Sequence, residues 1–195
     1  MTLLTFGLLL FLGVHSTSIF APGWRAAQLE RRGEAAWKVT YSLLSIAGFA
    51  LLIYGYGVAR QSPVVLYTPP TFTRHFALVL MLPVFPLLFA AYLPGRIKVF
   101  AKHPMLLAVK LWALAHLLAN GTLHDVILFG AFLAWAVTDR ISVRRRGVLS
   151  PTAEVPRKTP PSAANDVIAV VGGLAVYAVF VMWAHLKLIG VSPLG

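Results

Sequence analysis

Polar residues along this chain fall in a few short stretches. The apolar runs between them approach the roughly 20 residues needed to cross a bilayer. Six runs stand out, at 2–18, 37–59, 75–93, 104–120, 125–141 and 167–189. The first is short and N-terminal, the usual place of a signal peptide. No Lys or Arg precedes it and no small-x-small cleavage site follows, so it reads as a retained helix. Residues 21–38 form a polar connection with room for a short interfacial helix around 25–32. Pro63, Pro69 and Pro70 make 60–74 an extended loop. Pro83 and Pro86 predict a kink in the third span, whose freed carbonyls need neighbours to satisfy them. Pro104 suits the first turn of the fourth span, and Asn120-Gly121 predicts its end. The tight connection at 122–125 predicts that spans four and five form an antiparallel hairpin. Residues 139–166 hold Arg144, Arg145 and Arg146 and then a Pro/Ser/Thr-rich stretch, which predicts the longest loop. The expected fold class is all-α: a polytopic integral membrane protein with six transmembrane helices in a single domain, 1–195.

Composition agrees with that pattern. Hydrophobic residues make up 58% of the 195 residues and charged residues only 12%, against about 25% charged in soluble domains. A net charge of +11 would suggest nucleic acid in a soluble protein. In a membrane chain it sets topology instead, so the expected partner is the lipid bilayer and no nucleic acid. The loops after spans one, three and five carry four, three and six Lys/Arg, thirteen in all, against Arg60, Arg74 and Lys187 on the other side. The positive-inside rule then puts both termini outside the cytoplasm. Cysteine is absent, which excludes disulfides, Fe–S clusters, thiolate ligands and cysteine nucleophiles.

The candidate chemistry lies in the polar groups at membrane depth, namely His15, Lys110 and His116, because an ionisable residue there needs a partner. Trp112, His116 and Asn120 are spaced by four and share one face of the fourth span, an arrangement that suits a ligand with supporting neighbours or a helix-packing seam. Each histidine reads either as a ligand or as a neutral ring bonded to a nearby carbonyl. Lys110 either snorkels towards the interface or meets an anionic group. His75, His124 and His185 sit near span ends, where interfacial solvation suffices. Counting rise per residue, His15 and His116 differ in depth by about one and a half helical turns, so His116 with His185 stays open as another pairing. No catalytic triad, phosphate loop or zinc motif occurs. The six acids, Glu30, Glu34, Asp125, Asp139, Glu154 and Asp166, lie in loops or at span ends, which argues against a transporter driven by a buried carboxylate.

Four segments carry a family resemblance. They are His15-Ser16; Arg31-Arg32-Gly33-Glu34 with Trp37 and Tyr41-Ser42; 102–121; and 129–140. Together they resemble the NnrU family over nearly the whole chain. The resemblance implies a bacterial inner-membrane protein, with both termini periplasmic by the charge count, linked to nitrite and nitric oxide reductases. The family is similar to 15-cis-zeta-carotene isomerase, a membrane enzyme that uses haem b with histidine ligation. Carried over by position, the first-helix histidine matches His15 and the fourth-helix histidine matches His116. The implied metal ligands are therefore His15 and His116; Trp112 and Asn120, by their spacing, and Lys110, by its depth, are expected as further cofactor contacts. The implied function is haem-dependent sensing or accessory work in nitrogen-oxide metabolism, with denitrification enzymes as partners. Two alternatives stand beside it: a haem-dependent cis–trans isomerase of a polyene lipid, and a cofactor-free scaffold or transporter.

Overall fold

The computed structural model describes residues 1–149 and 160–195. The chain divides into two units, residues 1–68 with 121–146 and residues 69–120 with 147–195.

In the first unit, α1 (Thr2–His15) packs along α3 (Pro22–Ala59), with a short α2 (Thr17–Phe20) between them. Glycines set how closely they approach. A Cβ on Gly7 would stand 2.5 Å from the Leu52 nitrogen, and one on Gly48 would stand 2.8 Å from the Phe11 nitrogen. Gly55 meets the Leu4 backbone in the same way. Small residues let helix backbones touch where lipid supplies no hydrophobic drive. The three contacts run antiparallel, and one more turn of that register brings His15 to the level of Ser45 and Tyr41.

The helix α3 breaks at Gly33, whose φ of 78° and ψ of 162° interrupt the helical geometry. Glycine adopts a positive φ without the Cβ penalty other residues meet. Before the break, Trp24 and Arg25 both reach back to Trp37, with indole centroids 5.8 Å apart and the guanidinium 5.9 Å from the ring centroid. The short helix expected around 25–32 is this first segment.

The fifth apolar run lies in α8 (Leu123–Leu149), which continues past the expected end at 141. Arg144, Arg145 and Arg146 therefore lie on a helix and not in a loop. No proline interrupts this stretch, and arginines near a helix C-terminus complement its negative end. The remainder of the expected loop, 150–159, lies outside the described residues.

The second unit holds α4 (Thr73–Met81), α5 (Val84–Tyr92), α6 (Arg96–Ala101), α7 (Pro104–Ala119) and α9 (Ala163–Val179). A π-helical turn, Phe180–Ala184, leads from α9 into α10 (His185–Ile189). The third expected span is two helices because Pro83 has no N–H to offer the Val79 carbonyl. The Leu82 N–H is shared by the Leu78 and Val79 carbonyls at 3.2 Å each, and Tyr177 Oη donates to the Leu78 oxygen at 2.9 Å. Pro86 falls in the first turn of α5, where a missing N–H costs nothing. Val84, Leu87 and Ala108 form a buried cluster, with Leu111 and Trp112 packed against it. The Asp166 carboxylate accepts the Arg96 and Ile97 N–H groups at 2.9 and 3.0 Å, capping α6. The ends of α7 are those expected: Pro104 opens it and Asn120, in extended conformation, closes it.

Among the described residues, four helical stretches are long and apolar enough to cross a membrane: Pro22–Ala59, Thr73–Tyr92, Leu123–Arg146 and Ala163–Ile189. The other two expected spans, α1 and α7, are apolar helices of 14 and 16 residues, about 21 and 24 Å long against a core of about 30 Å. The polytopic all-α class stands; the helix lengths give four full spans and two shorter helices where six spans were expected. Leu43, Ile46 and Ile53 on α3 and Val167, Val171 and Met182 after Ala163 keep their side chains exposed, as lipid-facing positions do.

Candidate ligand site

His15 closes the α1 stripe that packs on α3. Its Nδ1 lies 2.7 Å from the Phe11 carbonyl oxygen, one turn back. A carbonyl has no proton to give, so Nδ1 carries the hydrogen and the neutral ring keeps its lone pair on Nε2. A fixed tautomer of this kind is what orients a ligating histidine. Aromatic rings form a collar around it. Phe11 lies 4.2 Å away between centroids, Tyr41 of α3 5.3 Å, and Trp135 of α8 6.1 Å in an edge-on arrangement. Among the described residues, two buried polar atoms in this region, Ser45 Oγ and Trp135 Nε1, have no hydrogen-bond partner. Such atoms cost about 1–3 kcal/mol each unless something satisfies them, and a bound group or an ordered water would do so.

The His15 site also borders a polar cleft of about 750 Å³ within the same unit. Arg25, Lys38 and Arg146 bring positive charge to its wall, and among the described residues Glu34 is the one carboxylate lining it.

His116 repeats the local geometry of His15. Its Nδ1 lies 2.8 Å from the Trp112 carbonyl oxygen, and the Trp112 ring is 5.4 Å away. Nε2 is again the lone-pair nitrogen of the neutral ring. Asn120 Nδ2 donates to the His116 backbone carbonyl at 3.0 Å, and the Asn120 N–H reaches the same oxygen at 2.9 Å, so this amide closes the end of α7. Lys110 is half-buried on α7. His185 Nδ1 donates to the Val191 carbonyl at 2.6 Å. The sequence-predicted residues thus divide between the units: His15 belongs to the first, and Lys110, Trp112, His116 and Asn120 to the second. Among the described residues, no three His, Asp or Glu side chains gather as a metal site.

A third polar cluster escaped the sequence reading. His124 and Asp125, expected to be solvated at a span end, are 4% and 5% exposed. Tyr56 Oη donates to Asp125 Oδ1 at 2.6 Å, and Thr122 Oγ1 donates to Asp125 Oδ2. Having given its one proton to Asp125, the Thr122 hydroxyl accepts from His124, whose Nε2 is 3.0 Å away. The chain of donors is therefore His124 to Thr122 to Asp125, with Tyr56 closing on the same carboxylate. Arg60 stands over the Tyr56 ring, 5.9 Å from its centroid. In the loop before α4, burial pushes the Tyr67 phenol above its ordinary range, and the Asp125 carboxylate adds to the shift. Thr122-Leu-His-Asp125 at the start of α8 has the pattern of a capping box, and that was the available signal. The interhelical partner Tyr56 had none.

Fold and site together define a polytopic α-helical membrane protein with histidines held in fixed tautomers among apolar helices. Residues 3–193 match the NnrU family, described as NnrU protein. The chain belongs to that family. No curated protein and no solved structure matches it.

Proposed function

We propose that this NnrU-family protein binds a b-type haem and serves an accessory or sensing role in nitrogen-oxide metabolism. His15 is the candidate iron ligand of the first unit and His116 that of the second, each with the Nε2 of its imidazole to offer. The observation that carries the reading is the surroundings of His15. Its tautomer is locked by the Phe11 carbonyl, its ring is enclosed by Tyr41 and Trp135, and two buried donors nearby are unpaired. These residues fit a planar, largely apolar group with a nitrogen-seeking metal.

Bound haem would supply a redox-active iron able to take small nitrogen-oxide ligands, its potential set by axial ligation and burial. The protein's own part is to hold each imidazole in the ligating tautomer, exclude water with aromatic rings and meet the ligand's carboxylates with positive charge. Lys110 is proposed for that last role in the second unit, with Trp112 and Asn120 supporting the His116 segment. Family membership supports the link to nitrite and nitric oxide reduction. The charge asymmetry supports placement in the bacterial inner membrane with both termini periplasmic.

The test is the haem content of protein purified from a haem-replete host, read as the pyridine haemochrome. The proposal expects b-type haem in stoichiometric amount. Folded, monodisperse protein carrying no haem would overturn it.

A further inference from the structure

We propose that the polar cleft of the first unit is a binding site for a phosphate group at the membrane surface, carried by an anionic phospholipid headgroup or a soluble phosphate ester. The argument rests on the arginines and lysine of the cleft and is independent of iron at His15.

The charges in the cleft are unevenly partnered. Glu34 pairs with Lys38 one turn away, at 2.7 Å. Among the described residues Arg25 has no carboxylate partner; its guanidinium is held over the Trp37 ring instead. This contact is made to the ring face and leaves the guanidinium N–H donors able to meet a phosphate. Arg146 is anchored at one side, with Nη1 donating to the Ser18 carbonyl at 2.8 Å and Nη2 3.8 Å from Asp139. A guanidinium carries five N–H donors, so these contacts leave Arg146 capacity for another acceptor. Ser42 adds a hydroxyl to the lining. Two arginine forks and a lysine on one cleft suit a group with several charged oxygens better than a single carboxylate, which one fork would satisfy.

The setting points to the membrane surface. The segment before Gly33 carries Trp24, 54% exposed, beside Arg25 and the cleft. Exposed tryptophan next to arginine is the composition of the bilayer interface. Leu43 and Leu44 stay exposed just beyond Ser42, so an acyl chain would continue along α3 from a headgroup seated in the cleft.

The experiment is native mass spectrometry of the detergent-purified full chain with dioleoyl phosphatidylglycerol, dioleoyl phosphatidylcholine or glycerol 1-phosphate. We expect one phosphatidylglycerol retained about tenfold more tightly than phosphatidylcholine, and an Arg25→Gln/Arg146→Gln double variant to lose that preference. Binding of glycerol 1-phosphate with the same dependence would assign the site to soluble phosphate esters and also support it. The control is Arg144→Gln/Arg145→Gln, which removes equal charge at exposed residues outside the cleft lining. Equal retention of both lipids with no glycerol 1-phosphate bound would overturn the proposal. So would an equal loss in the control, or an unchanged preference in the double variant. A matching melting temperature for the double variant shows that it is folded.

Discussion

His15 and His116 have the same local geometry in different surroundings. In each, Nδ1 donates to the carbonyl four residues back and the ring lies against an aromatic at that position. That much belongs to any histidine on an apolar helix with an aromatic one turn before it. What differs comes from elsewhere in the chain. His15 gains Tyr41 from α3, Trp135 from α8 and a charged cleft, with two unpaired buried donors in the same region. Around His116, the contacts with Trp112 and Asn120 come from α7 and its cap. Helical spacing alone therefore does not identify a ligand; for His15 the groups that other helices bring to the ring add what the spacing cannot show.

The largest effect on this contrast should come from the scaffold of His15. Gly55→Leu drives a side chain into the Leu4 backbone and should destabilise the α1–α3 pair by about 1–3 kcal/mol. The check is thermal unfolding in detergent, and wild-type melting would show that the glycine contact is not needed. Next comes the paired polar cluster of the same unit. Asp125→Ala leaves the Tyr56 and Thr122 hydroxyls without their acceptor and should cost about 2 kcal/mol, whereas Asp125→Asn, which keeps an acceptor oxygen, should cost less. Equal losses for the two variants in denaturant titrations would mean that charge, not hydrogen bonding, holds the cluster. A smaller change of opposite sign is expected at an unpaired donor. Ser45→Ala removes a hydroxyl with no partner and should leave haem-free protein unchanged or more stable by about 1 kcal/mol. Destabilisation there would show that the hydroxyl is bonded.

Much of the fold was legible because it follows from local chemistry. Pro104 and Asn120 fix the ends of α7, Pro83 splits the third span, and the stretch with Trp24 and Arg25 before Gly33 is the short helix expected around 25–32. The continuation of α8 through Arg144–Arg146 was missed because the charges suggested a loop, although nothing there breaks a helix. Half of the candidate site was also legible. Histidines at membrane depth stand out in a sequence, and so does Trp112 four residues before His116. The collar of His15 was not readable, since Tyr41 and Trp135 lie far from it along the chain. Burial of His124 and Asp125 was hidden for the same reason: it depends on Tyr56 from another helix.

The central claim is that His15 is a ligand because of its surroundings, and the Soret absorbance of purified His15→Ala tests it most directly. The account predicts at least a tenfold fall in Soret absorbance per folded chain, with the 280 nm absorbance and the melting profile showing intact protein; His116→Ala, the other proposed ligand, should lower the band as well. A His15→Ala protein that keeps the full wild-type Soret band would contradict the account.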